Sequence, residues 1–415
     1  MLGRLRSLRA LEWAVAELIA VIGALLMILL LIELSAPPGA GAHHDFLAFY
    51  GAARLLGQGE AASLYDSSAM SAVQRLVIPH PIGANGYMPF INPPVVAVAF
   101  APFGALSEPL ARWLWAALNA VLMVGCAVWI ARGLHGPRRL LGVLVVVASY
   151  PVYHTLVEGQ WSIVLLAAGL AALECARRGS WASAGLVLSV FWLKPQFIVL
   201  PLVALIVARR WRAVVGAGAG AVAFVLVSVP FTGPAIDVRY IGYLAQVALS
   251  HFTGAGAVQA TVWQGDLAST EGLNGLLVGY LGQAAVGLVD VLWAGLAAGV
   301  LALCVVAWRA QAPGFGSLAA RAQLAAGIAL VLLVNPNLFA QDCVLVFLLI
   351  DALFPLPTWT GLWGWTIAAA LGDLVLLDQP GLRPHLFTLV LVAAMIGVCG
   401  RAIGRRTAAE PALVG

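Results

Sequence analysis

The sequence predicts an all-α integral membrane protein, a bundle of about 12 (roughly 10–13) transmembrane helices with outer-face loops that carry short interfacial helices. Three observations lead there. Of 415 residues, 62% are hydrophobic and 10% charged, with a mean hydropathy of +0.98, whereas a soluble domain has about a quarter of its residues charged. Apolar runs of spanning or near-spanning length recur along the whole chain. Arginines gather between alternate runs, as the positive-inside rule requires of a polytopic protein.

The runs fall at about 13–34, 110–131, 139–151, 161–176, 181–193, 196–208, 213–230, 286–308, 322–334, 343–354, 359–377 and 385–400. The first lacks a small-residue cleavage site and reads as a retained helix, not a removed signal peptide. Basic clusters occur at Arg4, Arg6 and Arg9; at Arg132, Arg138 and Arg139; at Arg177 and Arg178; at Arg209, Arg210 and Arg212; at Arg309 and Arg321; and at Arg401, Arg405 and Arg406. With a cytoplasmic N-terminus and one crossing per run, all of these fall on the cytoplasmic side. Arg54, Arg75, Arg112, Lys194, Arg239 and Arg383 fall at or near the outer boundary. Both termini are then cytoplasmic, and the chain reads as one polytopic domain, 1–415, in the cell (inner or plasma) membrane.

Two long outer segments remain: a first loop with a re-entrant portion at 35–107, and a second loop at 231–283. The short, basic inner connections leave no cytoplasmic ATPase or kinase domain, and there is no P-loop, dinucleotide fingerprint, tandem repeat or matched pair of interrupted helices of the transporter kind. Cys126, Cys175, Cys304, Cys343 and Cys399 stand singly in apolar runs without CxxC spacing, which argues against a metal site or a disulfide framework. Chemistry is therefore expected at the outer leaflet, with the bilayer as a partner and nucleic acid excluded.

The first outer loop reads GAHHDFLAFYGAARLLGQGEAASLYD. Phe46, Phe49, Ala53, Leu55 and Leu56 form an imperfect helical stripe, predicting a short helix on the membrane surface that ends at Gly57 and Gly59. Further on, YMPFINPPVVAVAFAPFGALS is too broken by proline for a full crossing. Asp45 admits two readings. As the residue before Phe46 it suits an N-cap; as a carboxylate at the outer mouth of a bundle with aromatic residues behind it, it suits a general base for a lipid-borne hydroxyl. His43, His44 and Asp45 together could in principle bind a divalent cation, but no cluster has convincing metal spacing and no cofactor is expected. A short outer loop, YHTLVEGQW, adds His154, Glu158 and Gln160, the last two also suited to capping the helix that follows. The second long loop adds His251, Trp263, Gln264, Asp266 and Glu271. Trp263 and Tyr240 could stack on a sugar or sit in the interfacial aromatic belt.

The order Asp-Phe with a following aromatic, Ala-Ala-Arg, a Leu-Leu-x-Gly close, LYD, Tyr-x-Pro-x-x-x-Pro-Pro, EGQWSIVLLAAGL, and WLKPQFIVLPL followed by a basic Arg-Arg-Trp resembles glycosyltransferase family 87, over residues 13–354. These are polyprenol-phosphate-mannose-dependent mannosyltransferases of the GT-C membrane fold. The resemblance implies a GT-C-type bundle and an outer-facing catalytic acid that maps onto Asp45. It implies a polyprenyl-phosphate-linked sugar as donor, with mannose the expected sugar, a lipid or glycan acceptor on the outer leaflet, and inversion at the anomeric carbon. Two departures bear on substrate. STEGLNGLLVG keeps Asn274 without the full Asn-x-Ser element, and NPNLFAQDCV places Gln341 and Asp342 where a histidine is expected.

Lys194 is the only lysine of the chain, set in FWLKPQF where Pro195 ends a helix. It can snorkel to water, or its ammonium can hold the donor phosphate with Gln196 adding a hydrogen bond, a point charge differing in geometry from the planar fork of arginine. Behind Asp45, Lys194 and Gln196 stand four second-tier candidates: His43, His44, Gln160 and Asn274. The rival reading is a transporter or flippase of a lipid or solute without covalent chemistry. Its ionisable path would draw on Glu174, Asp290, Asp351 and Asp373, which form no evident series.

Overall fold

The computed structural model describes residues 2–38, 44–78, 86–253, 270–282, 285–309, 318–353 and 385–408. Among them there is no β-strand; one isolated antiparallel bridge joins Glu271 to Leu338. The described helices are α1 (Leu2–Ser35), α2 (His44–Gly57), α3 (Ser67–Arg75), α4 (Pro94–Gly104), α5 (Glu108–Ile130), α6 (Pro137–Val147), α7 (Tyr150–Glu158), α8 (Ser162–Arg177), α9 (Trp181–Leu188), α10 (Val199–Val207), α11 (Trp211–Thr232), α12 (Pro234–Thr253), α13 (Gly272–Leu281), α14 (Val286–Arg309), α15 (Leu318–Val334), α16 (Val346–Leu353) and α17 (Leu386–Ala408).

The apolar runs outside 359–377, which lies beyond the described residues, coincide with helices. Length divides them. Glu108–Gly133, Trp211–Thr232 and Gly287–Arg309 are long and apolar enough to cross a membrane alone, and the pair Arg139–Val147 and Tyr150–Glu158, bent by 51°, is a fourth if taken as one span. The other apolar helical stretches found among the described residues, Val21–Ser35 in α1 and Leu386–Gly397 in α17 included, have 10–17 residues, short of the ~20 a straight crossing needs. Among the described residues, three helices, or four with the bent pair, are long and apolar enough to cross, so the expected count of about twelve is not established. The surfaces of the long helices are apolar outward: Val121 on α5, Val215 and Leu226 on α11, and Val291 on α14 are all exposed. Exposed apolar surface on this scale suits lipid contact. The chain is a membrane protein of apolar helices.

Helix contacts use small residues where backbones meet. α9 lies along α11, and a Cβ on Gly185 would fall on the Ala213 carbonyl oxygen, one on Gly216 on the Ala182 carbonyl oxygen, and one on Gly220 on the Ser189 hydroxyl. Lipid tails are as apolar as leucine, so such close approach is what holds helices together in a bilayer.

The sequence places α2 on the membrane surface. It forms over the expected residues and stops at Gly57, with Gly59 at φ +78°, but it is embedded in protein: Phe46, Leu47, Phe49, Ala52, Ala53 and Leu55 are all buried. Its neighbours α3 and α4 take up the apolar stripe. α4 has 11 residues with Pro102 inside, about 16 Å at 1.5 Å per residue, which agrees with a segment too short to cross.

α8 sets the vertical scale. Its 16 residues span about 24 Å. At its C-terminal end Arg177 contacts Asp351 at 2.5 Å and Glu174 at 3.6 Å, Arg178 contacts Glu174 at 3.0 Å, and Arg132 contacts Asp351 at 3.2 Å. At its N-terminal end stands Ser162, beside the residues described next.

Candidate active site

Asp45 lies in the first turn of α2, where the helix N-terminus favours a negative charge. Its Oδ2 accepts a hydrogen bond of 2.6 Å from Gln160 Nε2, and its backbone N–H donates to Glu158 Oε2 at 3.4 Å. Gly159 makes this meeting geometrically possible. It ends α7 in the left-handed conformation at φ +67°, and a Cβ there would lie 2.9 Å from the Phe46 Cβ. Its carbonyl accepts from Trp115 Nε1 at 2.7 Å. Without a side chain at 159, α7 turns tightly against α2 and delivers Gln160 to Asp45.

The residues that follow Asp45 on α2 enter a buried aromatic cluster. Phe100 lies 4.6 Å from Trp115 and 5.5 Å from Trp161, Trp115 lies 4.9 Å from Trp161, and Phe46 and Phe49 pack on Phe100. These contacts fix α2, on which Asp45 is half-buried.

The second cluster surrounds Lys194. The helical path through α9 passes into the 3-10 turn Ser189–Leu193, breaks at Lys194 with φ −129° and ψ 85°, and resumes with the 3-10 turn Pro195–Phe197. Proline at 195 disfavours the helical region for the residue before it, so the expected break is present. Asn92 holds it from outside, donating from Nδ2 to the Leu193 carbonyl at 2.9 Å, while the Tyr65 hydroxyl donates to the Asn92 carbonyl at 2.9 Å.

The lysine neither snorkels nor stands free. Its Nζ donates to Asp342 Oδ1 at 2.7 Å and to Ser162 Oγ at 3.4 Å, and Ser162 Oγ donates to the same Asp342 oxygen at 2.5 Å. The side chains of Lys194 and Asp342 are 8% and 1% exposed, so the pair is out of water.

Residues 160–162 join the clusters, since Gln160 faces Asp45 and Ser162 faces Asp342. His154 on α7 lies within electrostatic reach of both Asp45 and Asp342 and beside the Gln341 side chain. The Thr155 hydroxyl donates to the Gln341 carbonyl at 3.0 Å. His154 Nδ1, Gln160 Oε1, Trp161 Nε1, Gln341 Oε1 and Asp342 Oδ2 are buried without a hydrogen-bond partner among the described residues. Buried polar atoms are nearly always satisfied in folded chains, and these five lie on α7, the α7–α8 turn and the 3-10 turn Ala340–Leu345.

Of the residues singled out in the sequence, Asp45 and Gln160 meet directly. Lys194 joins them through Ser162. Gln196 is half-buried in the turn after Lys194. Asn274 is buried on α13 and donates to the Pro336 carbonyl at 3.4 Å, which ties α13 to the segment leading to Gln341. His43 lies outside the described residues, as do the side chain of His44 and Trp263, Gln264 and Asp266. Among the described residues no group of three His, Cys, Asp or Glu side chains is placed to hold a metal ion.

Sequence reasoning noted Asp342 only as a departure from an expected histidine and did not pair it with Lys194. One signal was available: a carboxylate inside an apolar run needs a cation, and only one lysine exists. Ser162 carried no signal at all.

Neither the curated proteins nor the solved structures compared with this chain give a match. Among protein families, glycosyltransferase family 87 matches residues 90–336, more than half of the chain and a span that takes in Asn92, the α7–α8 turn, the Lys194 break and Asn274. The chain belongs to glycosyltransferase family 87.

Proposed function

We propose that this membrane glycosyltransferase moves a sugar, mannose first among candidates, from a polyprenyl-phosphate carrier to a hydroxyl of an outer-leaflet acceptor, with inversion. Asp45 takes the acceptor hydroxyl proton as the oxygen attacks the anomeric carbon. The bond from that carbon to the phosphate oxygen breaks, and polyprenyl phosphate leaves with the electron pair. Gln160 orients the Asp45 carboxylate. Lys194, steadied by Asp342 and Ser162, faces the departing phosphate with its remaining N–H, and Gln196 is next to it.

The observation that carries this reading is the 2.6 Å contact of Gln160 with Asp45, two residues along the chain from Ser162, which bonds the buried Lys194. The outer-face placement of Asp45 is part of this proposal, and α8 supports it: the arginine network at its far end suits the cytoplasmic face. Glu174 and Asp351, which a transport path would use, are held in that network.

The test is transfer of radiolabelled mannose from polyprenyl-phosphate-mannose to extracted membrane lipids by native protein and Asp45→Asn. A positioned base contributes about 10²–10⁴-fold, so transfer should fall at least about a hundredfold in the variant with its thermal midpoint unchanged. Undiminished transfer by Asp45→Asn removes the base from Asp45.

A further inference from the structure

A helical chain broken at Lys194 needs its loose backbone groups met from elsewhere. Phe197 N–H bonds the Lys194 carbonyl and Ile198 N–H the Pro195 carbonyl, Pro195 has no N–H to offer, and the Leu193 carbonyl is taken by Asn92 Nδ2 at 2.9 Å, across 101 residues of chain. Asn92 is a rigid arm for this purpose. It is buried, it stands directly before Pro93 and Pro94, which confines its backbone to the extended region, and its own carbonyl accepts from the Tyr65 hydroxyl at 2.9 Å.

Tyr65 in turn is the docking point of α12. Its ring stacks on Tyr240 and Tyr243 with centroids 5.6 and 5.1 Å away, and on Phe90 at 5.8 Å. Tyr240 and Tyr243 are three residues apart and so share one face of the helix. Arg239 Nη1, from the same turn, donates to the Ala62 carbonyl at 2.7 Å. The contacts run without a gap from α12 through Tyr65 and Asn92 to the Leu193 carbonyl, and from the next residue Lys194 Nζ reaches Asp342 at 2.7 Å and Ser162 at 3.4 Å. An ammonium has three N–H donors; with two directed to these partners, the aim of the third is set by where the backbone holds residue 194.

Resting on the reading of Lys194 as the cation that meets the donor phosphate, we propose that Tyr65 and Asn92 are positioning residues of the transfer reaction, a relay through which the docking of α12 sets the aim of Lys194. Neither residue touches the reacting atoms. α12 opens the second of the two long segments expected at the outer face, so a substrate that presses this segment onto Tyr65 also fixes the cation.

Lys194 is the only lysine, so lysine labelled with 15N at Nζ gives the full chain a single ammonium line. The test is magic-angle-spinning NMR of that line in proteoliposomes, with aspartate labelled with 13C at Cγ. The native line should be sharp and dipolar-coupled to one aspartate carboxyl. Asn92→Ala and Tyr65→Phe, the latter keeping the ring and losing only the hydroxyl, should each displace or broaden the line and weaken the coupling. Because Tyr65 acts through Asn92, adding Tyr65→Phe to Asn92→Ala should change the line no further. Trp308→Phe, which removes a buried 2.9 Å bond to the Gln323 carbonyl between α14 and α15, should leave it as in the native chain. Dodecyl phosphate, standing in for the lipid phosphate of the donor, should shift the native line and bind Asn92→Ala about tenfold more weakly, since small misplacements of a positioned group are costly. An unmoved line in Asn92→Ala and Tyr65→Phe, fully additive changes in the double variant, or an equal change in Trp308→Phe would each overturn the relay. The line needs no sugar transfer, so the two readings fail separately: a native line indifferent to dodecyl phosphate, yet displaced in the variants, removes the phosphate from Lys194 and leaves the relay standing.

Discussion

Removing either partner of the Lys194–Asp342 pair should destabilise the protein far more than removing both. At 2.7 Å and an effective dielectric near 20, the two charges attract by about 6 kcal/mol. Desolvation of several kcal/mol for each ion offsets this, so the pair as a whole contributes little relative to apolar residues of the same volume. A single survivor keeps its desolvation penalty and loses its partner. Lys194→Met leaves Asp342 with only the Ser162 hydroxyl, and Asp342→Leu leaves an ammonium without a carboxylate. Each is expected to lose about 3–5 kcal/mol, and Lys194→Met/Asp342→Leu close to none. With about 2.1 cal/mol/K of unfolding entropy per residue, the single variants of this 415-residue chain should melt about 3–6 °C lower. Thermal unfolding in one detergent at one protein concentration measures this. Additive effects in the double variant, within about 0.5 kcal/mol, would refute the buried pair. The same double variant separates stability from chemistry. Native-like melting with lost transfer assigns Lys194 to the reaction; native-like melting with full transfer leaves the cation a structural residue only.

Gly185→Ala places a methyl group against the Ala213 backbone, which cannot rotate away, so α9 and α11 must part. A loss of about 1–3 kcal/mol is expected, whereas Gly218→Ala on the open side of α11, with nothing within 4 Å, should lie within about 1 kcal/mol of native; equal melting of the two variants would sink the packing argument. Asp66 caps α3, accepting from the Ser68 hydroxyl at 2.5 Å and the Ala69 N–H at 2.9 Å, and these bonds, the hydroxyl first, hold its carboxyl below the ordinary 3.8. The depressed value means its stabilisation is present above pH 3.8 and is lost as pH falls through the lower folded value. Asp66→Ala should therefore loosen α3 by about 1 kcal/mol at neutral pH, read as faster amide exchange over residues 69–75, and the difference from native should vanish in acid. A difference that persists there would rule out the carboxylate as its source.

The amino-acid sequence alone determined the membrane class, most helix locations and the family, and it singled out Asp45 with two readings open. Each rests on local information: composition, apolar runs, a proline after Lys194, and the order of short motifs. Lys194 stood out because nothing else in the chain is a lysine. Only the tertiary structure decided what these residues face. Gln160 reaches Asp45 across 115 residues of chain, and Asp342 reaches Lys194 across 148. The apolar stripe of α2 faces protein for a related reason. Hydropathy tells apolar from polar, but in a membrane chain both lipid-facing and protein-facing surfaces are apolar, so the pattern that identifies a helix does not say which face is covered. What covers α2 is Phe100, Trp115 and Trp161, from three distant segments. Pairings of this kind are fixed by shape, by small residues where backbones touch, and by the requirement that a buried charge find its opposite, and a linear sequence states none of these distances.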